Sequence, residues 1–270
     1  MPHPSLPIPI RIILVEPAGA LNVGSVARVM KNMGLSHLVL VNPHCDHLGS
    51  EARQMAVHAF EVLEAAQIVP TLPQGLGGCQ RAIAATGRPH TPAFTLEHPR
   101  QALPWLLENS LLENSLSSSA ALIFGPEDRG LNNEELHHAH RFIYIPANPD
   151  YPSLNLAQAV AICCYELYQL SHTFFKQTTH ASQDIPPNPH PPTPLLSPAP
   201  LDQLEGFYQQ LETLLLEIGY LFPHTAPSRM QKFRRLFHRA LPTQDEVTML
   251  RGILSQVKWA IEQRAEHRKE

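Results

Sequence analysis

The sequence predicts an α/β fold, a parallel sheet with helices on both faces, followed by a helical extension. Three observations carry that expectation. Short β-branched and apolar runs alternate with helix-length segments through the first two-thirds of the chain. A proline-rich stretch, "KQTTHASQDIPPNPHPPTPLLSPAP" (176–200), then breaks the alternation. Beyond it the apolar spacing is helical throughout.

Taken in order, "RIILV" (11–15) reads as a buried strand. After "EPAGA", Asn22 is placed to cap a helix through "VGSVARVMKNM", which Gly34 closes as the residue just past its end. "HLVLV" (37–41) is a second strand and "SEARQMAVHAFEVLEAA" a second helix. "QIVP", "RAIAAT" and "AALIF" read as short strands, with helical stretches around "GLGGCQ" and "PRQALPWLLEN". "NNEELHHA" (132–139) opens with a capping box, Asn132 at the cap and Glu135 three residues on. "RFIYI" is the last strand, and the polar turn "IPANPDYPSLN" leads into a long helix, with Ser153 and Asn155 competing to cap it. Leu156, Val160, Ile162, Cys163, Cys164, Leu167 and their neighbours leave that helix almost no polar stripe, so burial on more than one side is expected. Leu201, Leu204, Tyr208, Leu211, Leu215 and Ile218 start a terminal unit of about three helices. The resulting division is 1–175, a linker at 176–200, and a helical extension at 201–270.

Composition narrows the class. With 270 residues and an apolar fraction of 43%, the chain can build one domain of ordinary size and a smaller one. Cys45, Cys79, Cys163 and Cys164 show no paired spacing, which suggests reduced thiols in a cytoplasmic protein. The N-terminus lacks a basic, then apolar, signal pattern, and no apolar run approaches the roughly 20 residues that span a bilayer. A net charge of −4 argues weakly against nucleic acid. Yet Arg229, Lys232, Arg234, Arg235, His238 and Arg239 crowd a segment without an acidic residue, which suits either phosphate contact or a solvated helix face. The histidine groups at His44/Cys45/His47 and His137/His138/His140 have no matched second pair of ligands, so no metal is expected.

Ligands of open α/β sheets sit beyond the carboxyl ends of the strands. Four loops answer to that rule: "NVGSVAR" (22–28), "ATGRPH" (85–90), "FGPEDRGLNNEE" (124–135) and the turn before the long helix. None has the glycine–lysine pattern of a phosphate loop or a dinucleotide fingerprint. Singly, the Gly125–Gly130 segment is also a tight connection and Arg28 also a surface arginine. The residues alone stop at an α/β ligand binder with a helical appendage.

In order, however, "NVGSVAR", "LIFGPEDRGLNNEEL" and "YPSLNLAQAVAI" resemble the three motifs of the SpoU/TrmH branch of the SPOUT RNA methyltransferases. "LDQLEGFYQQLETLLLEIGYL", "KFRRLFHRA" and "LRGILSQV" resemble the C-terminal extension of its TrmJ family, which methylates ribose 2′-hydroxyls in the tRNA anticodon loop. The resemblance implies a C-terminal trefoil knot in the sheet domain, a homodimer packed through the long helix, and S-adenosylmethionine as methyl donor. It places the donor on Thr86, Gly87, Arg88, Gly125, Ile145, Ser153 and Leu154. It assigns substrate and catalytic positions to Asn22, Arg28, Glu127, Ser153 and Asn155, and tRNA contact to Arg28, Arg229, Lys232, Arg234, Arg235 and Arg239. "ATGRPH" departs from the family's Gly-Thr-Ser-Ala-Arg run, leaving Arg88 in the arginine role. The implied target is the ribose of cytidine or uridine 32. Another tRNA or rRNA ribose is the nearest alternative, and an RNA-binding protein without catalysis is the alternative of another class.

Overall fold

Ile12, Ile13 and Leu14 are consecutive and each fully buried. Successive strand side chains point to opposite faces, so both faces of the sheet must be covered here. The computed structural model describes residues 6–87, 95–108, 119–180 and 197–266. The chain divides into two units, Met1–Leu195 and Leu196–Glu270.

In the first unit the order is β1 (Ile10–Val15), α1 (Ala20–Asn32), β2 (His37–Val41), α2 (Ser50–Ala56), α3 (Phe60–Glu64), β3 (Gln67–Val69) and α4 (Leu72–Gly75). Then come β4 (Cys79–Ala85), β5 (Leu96–Glu97), α5 (Pro99–Ala102), β6 (Ser119–Phe124), α6 (Asn133–Leu136), β7 (Arg141–Ile143) and α7 (Leu156–His180). The strands form one sheet in the order β3-β2-β1-β6-β4-β7-β5. Every pairing is parallel. The strand ends that carry chemistry therefore share one edge of the sheet.

Local chemistry explains most elements and corrects some expectations. Gly34 closes α1 as expected: it takes φ +70°, and its N–H donates to the Lys31 carbonyl. Asn22 does not cap α1; the helix begins at Ala20, preceded by Gly19, and Asn22 lies inside its first turn. The second helix is broken, because Val57 adopts a left-handed φ of 53° between α2 and a 3-10 turn. The helical stretch expected around "GLGGCQ" falls earlier, at α4, since Cys79 and Gln80 already belong to β4. The capping box at α6 forms as read, with Asn132 accepting from the Glu135 N–H and Glu135 accepting from the Asn132 N–H. At α1, Gly24 meets α2 so closely that a Cβ would stand 2.2 Å from the Ala52 carbonyl oxygen.

Asn155 caps α7, its side-chain oxygen accepting from the Ala157 N–H at 2.9 Å and the Gln158 N–H at 3.4 Å. Leu156, Val160, Cys163, Cys164 and Leu167 are buried against the rest of the unit. Among the described residues nothing covers the opposite side: Gln158, Ile162, Tyr165 and Gln169 face outward. That is more outward surface than the apolar sequence suggested.

In the second unit α8 (Leu201–Glu217) packs on α9 (Ala226–Ala240) and α10 (Gln244–Glu266). Leu204, Phe207, Tyr208, Leu211, Leu221, Met230 and Val247 make its core. Ile218, expected to continue the apolar stripe, is the helix-ending residue and is half exposed. Of the proline-rich stretch, 176–180 complete α7 and 181–196 lie outside the described residues.

Candidate functional site

Three neighbouring strands, β6, β4 and β7, end at a cavity of about 340 Å³. Thr86 and Gly87 follow β4, Gly125 to Leu131 follow β6, Ile145 follows β7, and Ser153 and Leu154 come from the turn before α7. Six of the seven expected donor-binding residues thus line one cavity; Arg88 lies outside the described residues. Gly125 is required by the close return of its own loop. A Cβ there would stand 2.3 Å from the Leu131 nitrogen and 2.4 Å from the Gly130 carbonyl carbon. The polar turn "ANPDYP" is held by Asn148, whose side-chain oxygen accepts from the Asp150 N–H at 3.1 Å and whose carbonyl accepts from the Tyr151 N–H.

A chain of polar groups runs from this cavity to the start of α1. Glu127, itself on the cavity wall, accepts from the Asn22 amide at 2.9 Å and from the Ala18 and Gly19 N–H groups at 3.1 and 3.2 Å. Asn22 in turn accepts from the Asn155 amide at 2.9 Å. Burial raises the Glu127 pKa, but those three donors outweigh it, and the carboxyl titrates below its ordinary value. Glu127 is therefore an anion at neutral pH, already accepting three hydrogen bonds, and is better built to orient than to take a proton. Three of the five expected catalytic positions are joined in this way, and Ser153 stands exposed at the cavity beside them.

Arg28 is different. It is exposed on α1, does not line the cavity, and its side chain has no hydrogen bond or ion pair among the described residues. Its charge is available to a polyanion. On α9, Arg229, Lys232, Arg235 and Arg239 are exposed at spacings that share one helix face. Arg234 points elsewhere: its guanidinium forms two bonds to Glu205 of α8, at 2.6 and 2.8 Å, and lies over the Tyr208 ring at 4.5 Å. It is committed to holding the helices together.

Sequence reasoning passed over a second group. Arg129 donates to both carboxylate oxygens of Glu135 at 2.9 Å and to Glu16 at 2.7 Å, tying the cavity loop to the end of β1. The capping box pointed to Glu135 only as a helix start, and nothing local connects Glu16 to a residue 113 positions away. Among the described residues no group of three or more His, Cys, Asp or Glu side chains could hold a metal ion. No described helix is long and apolar enough to cross a membrane.

Residues 9–165 match the model of the SpoU rRNA methylase family, and 202–269 match the C-terminal domain of the tRNA methyltransferase TrmJ. The chain belongs to the SpoU methylases, in their TrmJ group. Its relatives include the tRNA (cytidine/uridine-2′-O-)-methyltransferase TrmJ of Pectobacterium atrosepticum, 41% identical over 249 residues, covering 92% of this chain and 96% of that protein. The TrmJ of Cronobacter sakazakii is 38% identical over 253 residues, covering 92% of this chain and 96% of its own. Among solved structures, TrmJ from Z. mobilis ZM4 superposes with a TM-score of 0.76 at 30% identity, covering 93% of this chain and 99% of that one. A probable methylase family protein from Haemophilus influenzae Rd KW20 gives a TM-score of 0.56 at 31% identity, covering 96% of this chain and 100% of that one. The SpoU methylase match spans the sheet unit with its cavity, and the TrmJ match the helical one.

Proposed function

We propose that the protein is an S-adenosylmethionine-dependent tRNA 2′-O-methyltransferase acting on the ribose of cytidine or uridine 32 in the anticodon loop. Membership of the TrmJ group supports this reading. The observation that carries it is the cavity at the ends of β6, β4 and β7 with the Glu127–Asn22–Asn155 chain beside it. The cavity suits the donor: Leu131, Ile143 and Leu154 offer apolar walls to an adenine, and Asp128 offers a carboxylate to a cation and hydroxyls. Among the described residues nothing stands within 4 Å of where a Gly87 Cβ would be, which suits a ligand held against the backbone.

When bound, the donor supplies an electrophilic methyl group on a sulfonium sulfur. Thr86, Gly87, Gly125, Ile145, Ser153 and Leu154 would hold it, and its methyl would pass to the 2′-oxygen as that oxygen sheds its proton. Ser153, on the cavity wall, and Asn155 beside it orient the hydroxyl, and water carries the proton away. Arg28 clamps the adjacent phosphate and stabilises the developing negative oxygen; its guanidinium is too basic to act as the proton acceptor. Glu127 keeps the start of α1 in register with the cavity loop. Arg229, Lys232, Arg235 and Arg239 supply phosphate contacts. The enzyme works in the cytoplasm as a homodimer, the outward face of α7 meeting its copy. We also read the segment from β6 to α7 as knotted; the insertion of β6 between the earlier strands β1 and β4 supports that reading.

Arg28→Ala tests the assignment directly. Methyl transfer to bulk tRNA, mapped by mass spectrometry, falls by at least about 100-fold, while donor affinity by calorimetry stays within about twofold of the parent. A variant that loses donor affinity yet still turns over RNA contradicts it.

A further inference from the structure

Between α8 and α9 the backbone is pinned into a tight turn. Gly219 adopts φ +75° and donates to the Leu216 carbonyl, while the Leu221 N–H donates to the Leu215 carbonyl at 2.9 Å. The Thr225 and Ala226 N–H groups both donate to the Phe222 carbonyl, at 2.9 and 2.8 Å. This geometry drives Leu221 into the helical core, where it is 1% exposed. Its two neighbours are consequently turned out: Tyr220 and Phe222 are each 53% exposed. The Phe222 ring stacks on His224, with centroids 6.0 Å apart and planes 25° from parallel. The Arg229 guanidinium lies 5.8 Å from the Tyr220 centroid, so the aromatic pair adjoins the first member of the basic stripe.

Two large aromatics held at the surface by a rigid turn keep apolar area in water, which a partner that covers them would remove. The charge beside them selects what that is. No acidic residue lies between Ser228 and Ala240, and the exposed cations follow one another along α9. Cations in a row suit successive phosphates, and flat aromatic faces suit unstacked bases, whatever their identity. A paired stem offers phosphates but no free base face; a loop offers both.

We infer that Tyr220 and Phe222 form a stacking platform for unpaired bases of the RNA whose phosphates run along α9. The inference rests on the RNA-binding reading of the helical unit. It assigns loop recognition to the α8–α9 turn and leaves stem contact to the basic stripe.

The test uses the full chain with two RNAs, a tRNA anticodon stem-loop and the same stem closed as a blunt duplex, titrated by fluorescence anisotropy over a range of salt. In Tyr220→Ala/Phe222→Ala the stem-loop Kd rises about 10- to 100-fold, while the duplex Kd and both salt slopes are unchanged. Tyr220→Leu/Phe222→Leu, which keeps the apolar bulk and protects the fold, behaves like the alanine pair. Parental binding by the leucine pair, equal losses on both RNAs, or a change in oligomeric state overturns the platform. A companion variant, Lys232→Gln/Arg239→Gln, separates the two readings. If it alone weakens both RNAs and flattens the salt slope, stacking fails and phosphate contact stands. If neither variant affects either RNA, the RNA-binding reading of this unit fails with it.

Discussion

Glu16 shows how much rests on single residues here. It ends β1 in a left-handed conformation, φ 46°, and the adjoining Asn42 at the end of β2 does the same at φ 44°. Neither is glycine, so each backbone turn costs something that its contacts must offset. Glu16 receives Arg129, and Asn42 donates to Glu16 at 3.4 Å. The hydrogen bond from Arg129 is the largest influence on the Glu16 carboxyl and holds its pKa below the ordinary 4.5. A depressed carboxyl contributes its pairing fully above 4.5 and loses it as pH falls through the lower folded value. Donor affinity should accordingly be level above that value and decline below it. Glu16→Gln, measured by calorimetric titration across pH, should lower affinity at neutral pH and flatten the acid decline. Arg129→Ala, which frees the cavity loop from both anchors, should slow methyl transfer roughly 100-fold. Asn22 teaches the complementary point. Its local context reads as a helix cap, but its amide bridges Glu127 and Asn155, 105 and 133 residues away. No short-range rule contains those partners.

At the scale of elements, α9 separates two kinds of cation that the sequence lists together. Arg229, Lys232, Arg235 and Arg239 share a face, whereas Arg234, out of phase with them, is turned toward Glu205 and Tyr208. Their helical spacing was legible; which side faces α8 was not, because that depends on Glu205, 29 residues earlier. Arg234→Ala should destabilise the full chain by about 2 kcal/mol in urea unfolding, as loss of a charged, partly buried bond pair does, whereas Lys232→Ala, at an exposed position, should leave the midpoint unchanged. The outward face of α7 makes a different prediction. Ile162 and Tyr165 are 36% and 45% exposed, the large apolar members of the outward face that Gln158 and Gln169 share. If two copies pair through this face as proposed, Ile162→Asp/Tyr165→Asp should leave a monomer in sedimentation while the circular dichroism of the helices persists. A parent that sediments as a monomer removes this assignment. Burial drives the Cys163 thiol pKa well up and that of Cys164 to about 12, so both thiols are kept unreactive by the same packing that orders the helix.

For the whole molecule, the cavity proposed for the donor is lined, among the described residues, by positions between Ala85 and Ala159 in the first unit, and the exposed basic stripe lies in the second. Donor and RNA functions should therefore separate. Converting Arg229, Lys232, Arg235 and Arg239 to glutamine should leave the donor Kd within about twofold and raise the KM for tRNA about tenfold or more, with a flatter salt dependence. A parallel loss of donor affinity contradicts the division. What the sequence determined by itself was local or periodic: the strands, the capping box at α6, the glycine that ends α1, and the ordered motifs that mark a SpoU methylase. These follow from short-range sterics and from side-chain period, both readable along the chain. Only the tertiary structure decided which polar groups meet. The sheet order β1-β6-β4-β7 brings the loops after β1, β6 and β7 to one edge, so that Glu16, Asn22, Glu127, Arg129 and Asn155 find partners far away in the chain. A hydrogen bond reaches about 3 Å, and which atoms come that close is set by how the whole sheet assembles.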